Sequence, residues 1–321
     1  MSLTQATTSG RTPDRARMFT WLTSAHVVGG DGAVASWVNP QHAGFAYPEA
    51  AGVWLAWAAW RGRRGDVRPE VAQIRLVAAR LEGELAAGIG VGKAGHSYLF
   101  DTCVALYGLA QCAQKSATVH AGSAGIAGAL DAIADFLERG VVTQPAPADA
   151  GRWSSQWGPY LRRAAGLLDR AGRSLGAPRA IELAARLAAR PELAGSAKGC
   201  DYVHAWCYAL EGAALAGDLD ALEAAAPQLA RLQRPDGALP AWSQGGAPAR
   251  ADATAQAIRL WRAAQGAEQA ATARALDWLS CQQAAGGGLR YEADSEDVTT
   301  WATCFGDQAT AWAGAGMDDW I

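Results

Sequence analysis

Apolar residues recur at helical spacing along nearly the whole chain, in twelve runs, and nowhere alternate with a period of two. The runs fall at 14–27, 47–62, 67–88, 97–113, 122–139, 155–170, 175–189, 201–216, 219–233, 250–264, 268–283 and 298–313, with Gly- and Pro-bearing loops between them. Their character alternates. The first of most pairs is charged, as in "EVAQIRLVAARLEGELAA" and "IELAARLAAR". The second is apolar nearly all round, as in "VWLAWAAW", "YLFDTCVALYGLA" and "VHAWCYALEGAALA". A helix apolar on every side must be buried on every side, whereas an amphipathic one keeps a face in water. Six buried helices inside six amphipathic ones predict an all-α (α/α)6 toroid of six helical hairpins. An open solenoid of the same pairs fits less well, because no polar capping pair stands at either end.

Composition narrows the function classes. The chain has 321 residues and a formal net charge of −3, which argues against a nucleic-acid footprint. No run of 18 apolar residues exists, so no membrane insertion is expected, and the N-terminus lacks a signal-like apolar region. These features predict a cytoplasmic protein with a flexible segment at 1–12 and a single domain over 13–321. The six cysteines sit mostly inside helical patterns, where they act as small buried hydrophobes and not as a disulfide framework. No feature of the sequence selects an oligomeric state. The 14 Trp against 5 Phe suggest flat apolar surfaces that also carry a donor, as a cleft for sugars or another large ligand requires.

Three stretches share one plan: "MFTWLTSAHVVGGDGAVASW" (18–37), "RLQRPDGALPAW" (231–242) and "RALDWLSCQQAAGGGLRY" (274–291). Each has a helical run, a Gly-rich turn and then an aromatic residue. If the first helix of a pair is outer, the turn carries the chain over the rim to the inner helix. Trp37, Trp153, Trp242 and Tyr291 would then stand at the mouth, with Trp157 and Trp301 as further stacking platforms.

Polar residues on the apolar helices are the candidate site. Asp201, His204, Tyr208 and Glu211 form one helical stripe among Val, Trp, Cys, Leu and Ala. Burying them unpaired would cost about 1–3 kcal/mol per group, so a wet central cavity is their natural partner. The alternative is a helix cap at Asp201 and an arginine partner for Glu211. Asp101 lies amid Tyr, Leu, Phe and Val, surroundings that favour a protonated general acid. Glu49, Asp252 and Asp297 begin other inner helices, where a helix dipole alone also favours an acid. His204 and Asp101 are the expected acid/base residues, Asp252 and Glu49 supporting carboxylates, and Tyr208 and Glu211 binding residues beside the aromatics. Cys200, His204 and Cys207 have helical spacing, but no Cys-His pair accompanies them, so neither a metal nor a cofactor is expected. "GIGVGKAG" (88–95) follows a helix and lacks the Lys-Ser/Thr ending of a phosphate-binding loop.

The Gly-rich turns resemble the QW-type repeats of prenyltransferase and squalene-cyclase toroids. "WLSCQQAAGGGLRY" carries Gln282 and Gly286–Gly288, and "LARLQRPDGALPAW" carries Gln233 and Asp236-Gly237. "YLFDTCVALYGL" (98–109) and "HAWCYALEGAALAG" (204–217) resemble inner helices of the six-hairpin carbohydrate enzymes: unsaturated glucuronyl hydrolases, uronyl epimerases and polysaccharide lyases. Asp-Ala-Thr-Ala from Asp252 resembles part of the DxDDTA motif of class II terpene cyclases, with Arg250 and Ala253 where that motif has acids. The first expectation is a carbohydrate-active hydrolase, lyase or epimerase, working by acid/base chemistry on an oligosaccharide or uronate-containing glycan. An isoprenoid cyclase using Asp252 is the second, and a non-catalytic scaffold the third.

Overall fold

The structure, a computed structural model, describes residues 10–113, 123–145, 153–194, 201–244, 246–265, 268–315 and 319–321. Among them run twelve α-helices: α1 (Arg15–Leu22), α2 (Pro48–Arg64), α3 (Val71–Leu85), α4 (Leu99–Ala113), α5 (Ala124–Arg139), α6 (Leu161–Leu175), α7 (Pro178–Ala188), α8 (Val203–Leu215), α9 (Leu219–Arg231), α10 (Ala251–Ala263), α11 (Gln269–Gln282) and α12 (Thr300–Ala315). Each even-numbered helix packs on the next, and α12 returns to pack on α2. The ring therefore closes. The odd-numbered helices lie outside it, α3 against α5 and α5 against α7. This is the (α/α)6 toroid that the alternation of helix character implies, and an open stack is excluded by the α12–α2 contact.

Local departures from the sequence reading have local causes. The helix expected from 155 starts at Leu161, because Trp153–Ser155 form a 3-10 turn and Gly158-Pro159 intervenes. Residues 1–9 of the segment expected to be flexible lie outside the described residues. Residues 10–12 rest on α11, where the Arg11 amide donates to Asp277 Oδ1 at 3.2 Å. Seven short strands, unannounced by any alternation, tie the rim loops together: β1 (Trp37–Val38), β2 (Gly92–Lys93), β3 (His96–Tyr98), β4 (Thr143–Gln144), β5 (Leu239–Pro240), β6 (Ala249–Arg250) and β7 (Val298–Thr299). β1 pairs with β7, joining the first hairpin to the last across the ring closure. No described helix is long and apolar enough to cross a membrane.

The repeated Gly-rich turn locks each outer helix to its neighbour. Gly237 has φ of +96° and Gly287 +107°, values that favour glycine. A Cβ on either would stand 2.2 Å from a carbonyl oxygen of the adjoining outer helix, Arg274 for Gly237 and Arg17 for Gly287. Gln233 Nε2 donates to the Gly237 and Ala271 carbonyls at 2.9 and 2.8 Å. Gln283 Nε2 donates likewise to Gly287 and Asp14, at 2.8 and 2.9 Å. Thus Gln283, and not its neighbour Gln282, plays the turn-binding part. The chain then enters the inner helix through a threonine: Thr254 Oγ1 accepts from the Leu239 amide and Thr303 Oγ1 from the Leu289 amide, both at 2.9 Å.

The tryptophan excess serves two purposes. Trp54, Trp57, Trp60, Trp261 and Trp312 are fully buried core residues. Core indoles find acceptors, as where Trp54 Nε1 donates to the Leu22 carbonyl at 2.8 Å. Others stand at the rim.

Candidate active site

The N-terminal ends of the inner helices and the rim loops enclose a cavity of about 320 Å³. Glu49, Asp101, His204 and Asp252, each from a different inner helix, all line it. So do Trp37, Trp153, Tyr208, Tyr291 and Trp301, together with Asp297. Three other expected binding residues stand elsewhere. Glu211 lies two turns further along α8, fully buried and ion-paired with both Arg163 and Arg259. Trp157 donates to the Gly140 carbonyl at 3.0 Å and stacks under Arg190. Trp242 is 47 % exposed and packs on Tyr202 outside the cavity lining. Asp201 is exposed and accepts from Ser243 Oγ at 3.2 Å, and the N-cap of α8 is Tyr202. Cys200 lies outside the described residues.

Two carboxylates share one phenol. α2 and α4 cross closely at Gly52 and Gly108, where a Cβ on Gly108 would stand 2.3 Å from the Gly52 carbonyl. That contact brings Glu49, in the first turn of α2, beside Asp101, in the first turn of α4. Tyr47, the N-cap of α2, donates its hydroxyl to Asp101 Oδ2 at 2.8 Å and also hydrogen-bonds Glu49. Burial first, and then the two carboxylates, push the Tyr47 phenol well above its ordinary value. It keeps its proton at any physiological pH.

His204 and Asp252 have different roles from those the sequence suggests. His204 Nδ1 faces Gln256 Oε1 at 2.6 Å and Asp252 Oδ2 at 3.5 Å. Burial lowers its pKa to about 4, against the opposing pull of Asp252, so the ring is neutral near pH 7. With its Nδ1 proton on Gln256, the ring turns an accepting Nε2 away from that contact. Asp252 is fully buried. Burial acts to raise its pKa, but Arg250, His204 and the Ala253 amide together hold it below the usual carboxylate range. Arg250 forks it, with Nη2 at 2.8 Å and Nε at 3.2 Å, and Trp301 Nε1 lies 3.3 Å away. An aspartate held this way is an anion, not a proton donor. The arginine standing where the terpene-cyclase motif has an acid is what makes it so.

Several lining groups were not singled out from the sequence: Tyr47, Lys93, Tyr98, Phe100, Tyr202, Ser36, Ser154 and Thr299. A signal for three of them exists. Tyr47, Tyr98 and Tyr202 each stand immediately before an inner helix, two or three residues ahead of Glu49, Asp101 and His204. The walls also hold unused hydrogen-bonding capacity. Ser36 Oγ, Trp37 Nε1, Ser154 Oγ and Thr299 Oγ1 are buried without a hydrogen-bond partner. These atoms are themselves shut off from solvent, as are Trp206 Nε1 and Gln282 Oε1 away from the cavity, so they lie behind the lining surface and are not presented to a ligand. Tyr202 adds a phenol whose pKa is pushed up to about 12 by burial and Asp252. The Arg250 guanidinium carbon stands over the Tyr291 ring, 3.6 Å from its centroid.

No protein-family model and no curated protein matches the chain. Solved structures do. A wild-type glycosidase superposes with a TM-score of 0.67 at 14 % identity, over 94 % of this chain and 98 % of that one. A variant of a glycosidase in complex with glucose gives 0.67 at 14 %, over 92 % and 96 %. An unsaturated glucuronyl hydrolase specific for heparin gives 0.64 at 14 %, over 94 % and 95 %. At such identities the likeness concerns the backbone, and it spans nearly the whole of each molecule. The chain is a six-hairpin (α/α)6 toroid, with the fold of these glycosidases and unsaturated glucuronyl hydrolases.

Proposed function

We propose that the protein is a carbohydrate-active enzyme and, within that class, a hydrolase that takes the end of an oligosaccharide into its cavity. One observation carries this reading: the Glu49–Tyr47–Asp101 trio lines a cavity that also presents the aromatic side chains of Trp37, Trp153, Tyr291 and Trp301. A volume of about 320 Å³ lies at the low end of ligand sites, which span roughly 300–1,000 Å³. It suits one or two sugar rings, not a polymer lying across a cleft. Aromatic faces at Trp37, Trp153, Tyr291 and Trp301 suit the apolar faces of pyranose rings.

Tyr47 stands between the two carboxylates: it gives its one proton to Asp101, and its contact with Glu49 also acts to keep that proton on the phenol. In this reading Glu49 protonates the glycosidic oxygen as the bond breaks, and Asp101 takes a proton from the attacking water. Elimination or epimerisation of a uronate instead needs a base able to remove a carbon-bound proton. His204, lowered to about 4, is too weak, and Tyr47 and Tyr208, both raised well above 10, hold their protons. His204 then serves recognition, its Nε2 accepting from a sugar hydroxyl, while burial and Arg250 keep it neutral and Gln256 orients it. A cytoplasmic location and a single catalytic domain over 13–321 belong to the same reading. Free thiols at all five described cysteines support the location.

The test is a panel of 4-nitrophenyl glycosides and unsaturated uronyl disaccharides, assayed with the parent protein, Glu49→Gln and Asp101→Asn. Turnover by the parent is expected, with kcat reduced about 10²–10⁴-fold in each variant. Absence of turnover across the panel, or full activity in Glu49→Gln, removes the reading.

A further inference from the structure

Beside the cavity lies a second hollow of about 310 Å³, formed by the loops 25–29 and 33–46. Trp37 lines both. The rim between them is polar: Asp297, a wall of the cavity, accepts from Asn39 Nδ2 at 2.7 Å and lies 3.3 Å from His42 Nε2. Asn39 and His42 line the hollow. Its lining includes short side chains that can serve as a floor, among them Ala25, Val27, Ala35 and Ala46, with His26 as another polar group. Trp37 is held edge-on against Phe45, 4.7 Å between centroids, so the wall shared by the two spaces is a braced aromatic plate.

We propose that this hollow is a second saccharide subsite, holding the part of the glycan that leaves. The inference rests on the hydrolase reading above and goes beyond it, since it fixes the minimal natural substrate as a disaccharide and gives its direction. The terminal ring occupies the cavity against Glu49 and Asp101. The glycosidic bond crosses the rim at Trp37 and Asp297, and the next ring lies on the alanine and valine floor. A floor without protruding side chains accepts the flat C–H face of a pyranose, while His26, His42 Nδ1 and the second N–H of Asn39 offer hydrogen bonds to its hydroxyls. Continuity through Trp37 argues for this occupant over an unrelated ligand, because the two spaces differ little in volume and share one wall.

The test compares two substrates carrying the same terminal sugar, chosen from whichever 4-nitrophenyl glycoside the parent turns over: the glycosyl fluoride, whose leaving group is a single atom, and the corresponding disaccharide. Ala43, an exposed residue lining the hollow, is replaced by tryptophan to fill it. The ratio of kcat/KM for disaccharide to that for fluoride is expected to fall at least 10-fold in Ala43→Trp, through KM. A smaller loss, about 3-fold, is expected in His26→Ala. An unchanged ratio in both variants overturns the subsite while leaving the hydrolase reading intact. A parent that hydrolyses no glycoside removes the hydrolase reading, and the subsite with it.

Discussion

The two ends of the inner ring bury polar groups in opposite ways. At the mouth, Ser36, Trp37, Ser154 and Thr299 keep polar atoms that no protein group satisfies. Two helical turns deeper the charges are paired within the protein. Glu211 is seven residues beyond His204 and is gripped by Arg163 and Arg259; Arg259 itself is seven residues beyond Asp252. Asp307, deep on α12, accepts from Arg61 at 2.5 Å, from Arg15 at 2.7 Å and from Trp57 Nε1 at 2.8 Å. Seven residues are about two turns, or about 10 Å along a helix. The same polar stripe thus lines a cavity at one end and enters buried ion pairs at the other.

Experiments that remove one partner test the contrast most strongly at the base. Glu211→Gln leaves two buried guanidinium groups without their counter-ion, and breaking a buried pair costs about 3–5 kcal/mol. Urea unfolding should register that loss; a change under about 1 kcal/mol would erase the distinction between the ends. The next effect concerns pH. His204 has a folded pKa of about 4 against an ordinary 6.5, so as pH falls below 6.5 the unfolded chain takes up its proton first. Stability from this residue is complete above pH 6.5 and lost between 6.5 and 4. At 1.36 kcal/mol per pH unit the total is about 3 kcal/mol. Denaturation midpoints followed across that window should slope less steeply in His204→Asn; parallel curves would show that His204 is not held neutral.

At the mouth the effects on stability are smallest. Ser36→Ala and Thr299→Val remove unpaired buried hydroxyls, so unfolding free energy, read by urea denaturation, should stay level or rise by up to about 1 kcal/mol. Loss of stability instead would mean that these hydroxyls already have partners.

Much of this was legible before any coordinates. The alternation of charged and apolar helices implied six outer and six inner elements, and the ring has them in that order. Four acid/base candidates from four separated segments meet in one cavity. The errors share a cause. Glu211 belongs to the same stripe as His204, and periodicity reports a face but not a depth, so nothing in the spacing distinguishes a cavity residue from one beneath its floor. Trp157 and Trp242 follow rim turns as Trp37 does, yet Arg190 and Tyr202 occupy their faces. Tyr47 was passed over because a tyrosine before a proline reads as an ordinary helix entry; only the crossing of α2 over α4 brings Asp101 to its hydroxyl.

The sequence by itself determined the helices and their inner or outer place, because these follow from period, amphipathicity and turn chemistry, all properties of neighbours along the chain; closure of the ring was decided by the packing of α12 on α2. Tertiary structure decided how the cavity acids are partnered. Asp252 and Asp101 look alike in sequence, each a first-turn aspartate in apolar company. Arg250 makes the first a fixed counter-ion and Tyr47 makes the second half of a carboxylate pair. Partnering depends on charges and donors within a few ångströms: Arg250 stands two residues from Asp252 in the chain, whereas the ring brings Tyr47 to Asp101 across 54 residues.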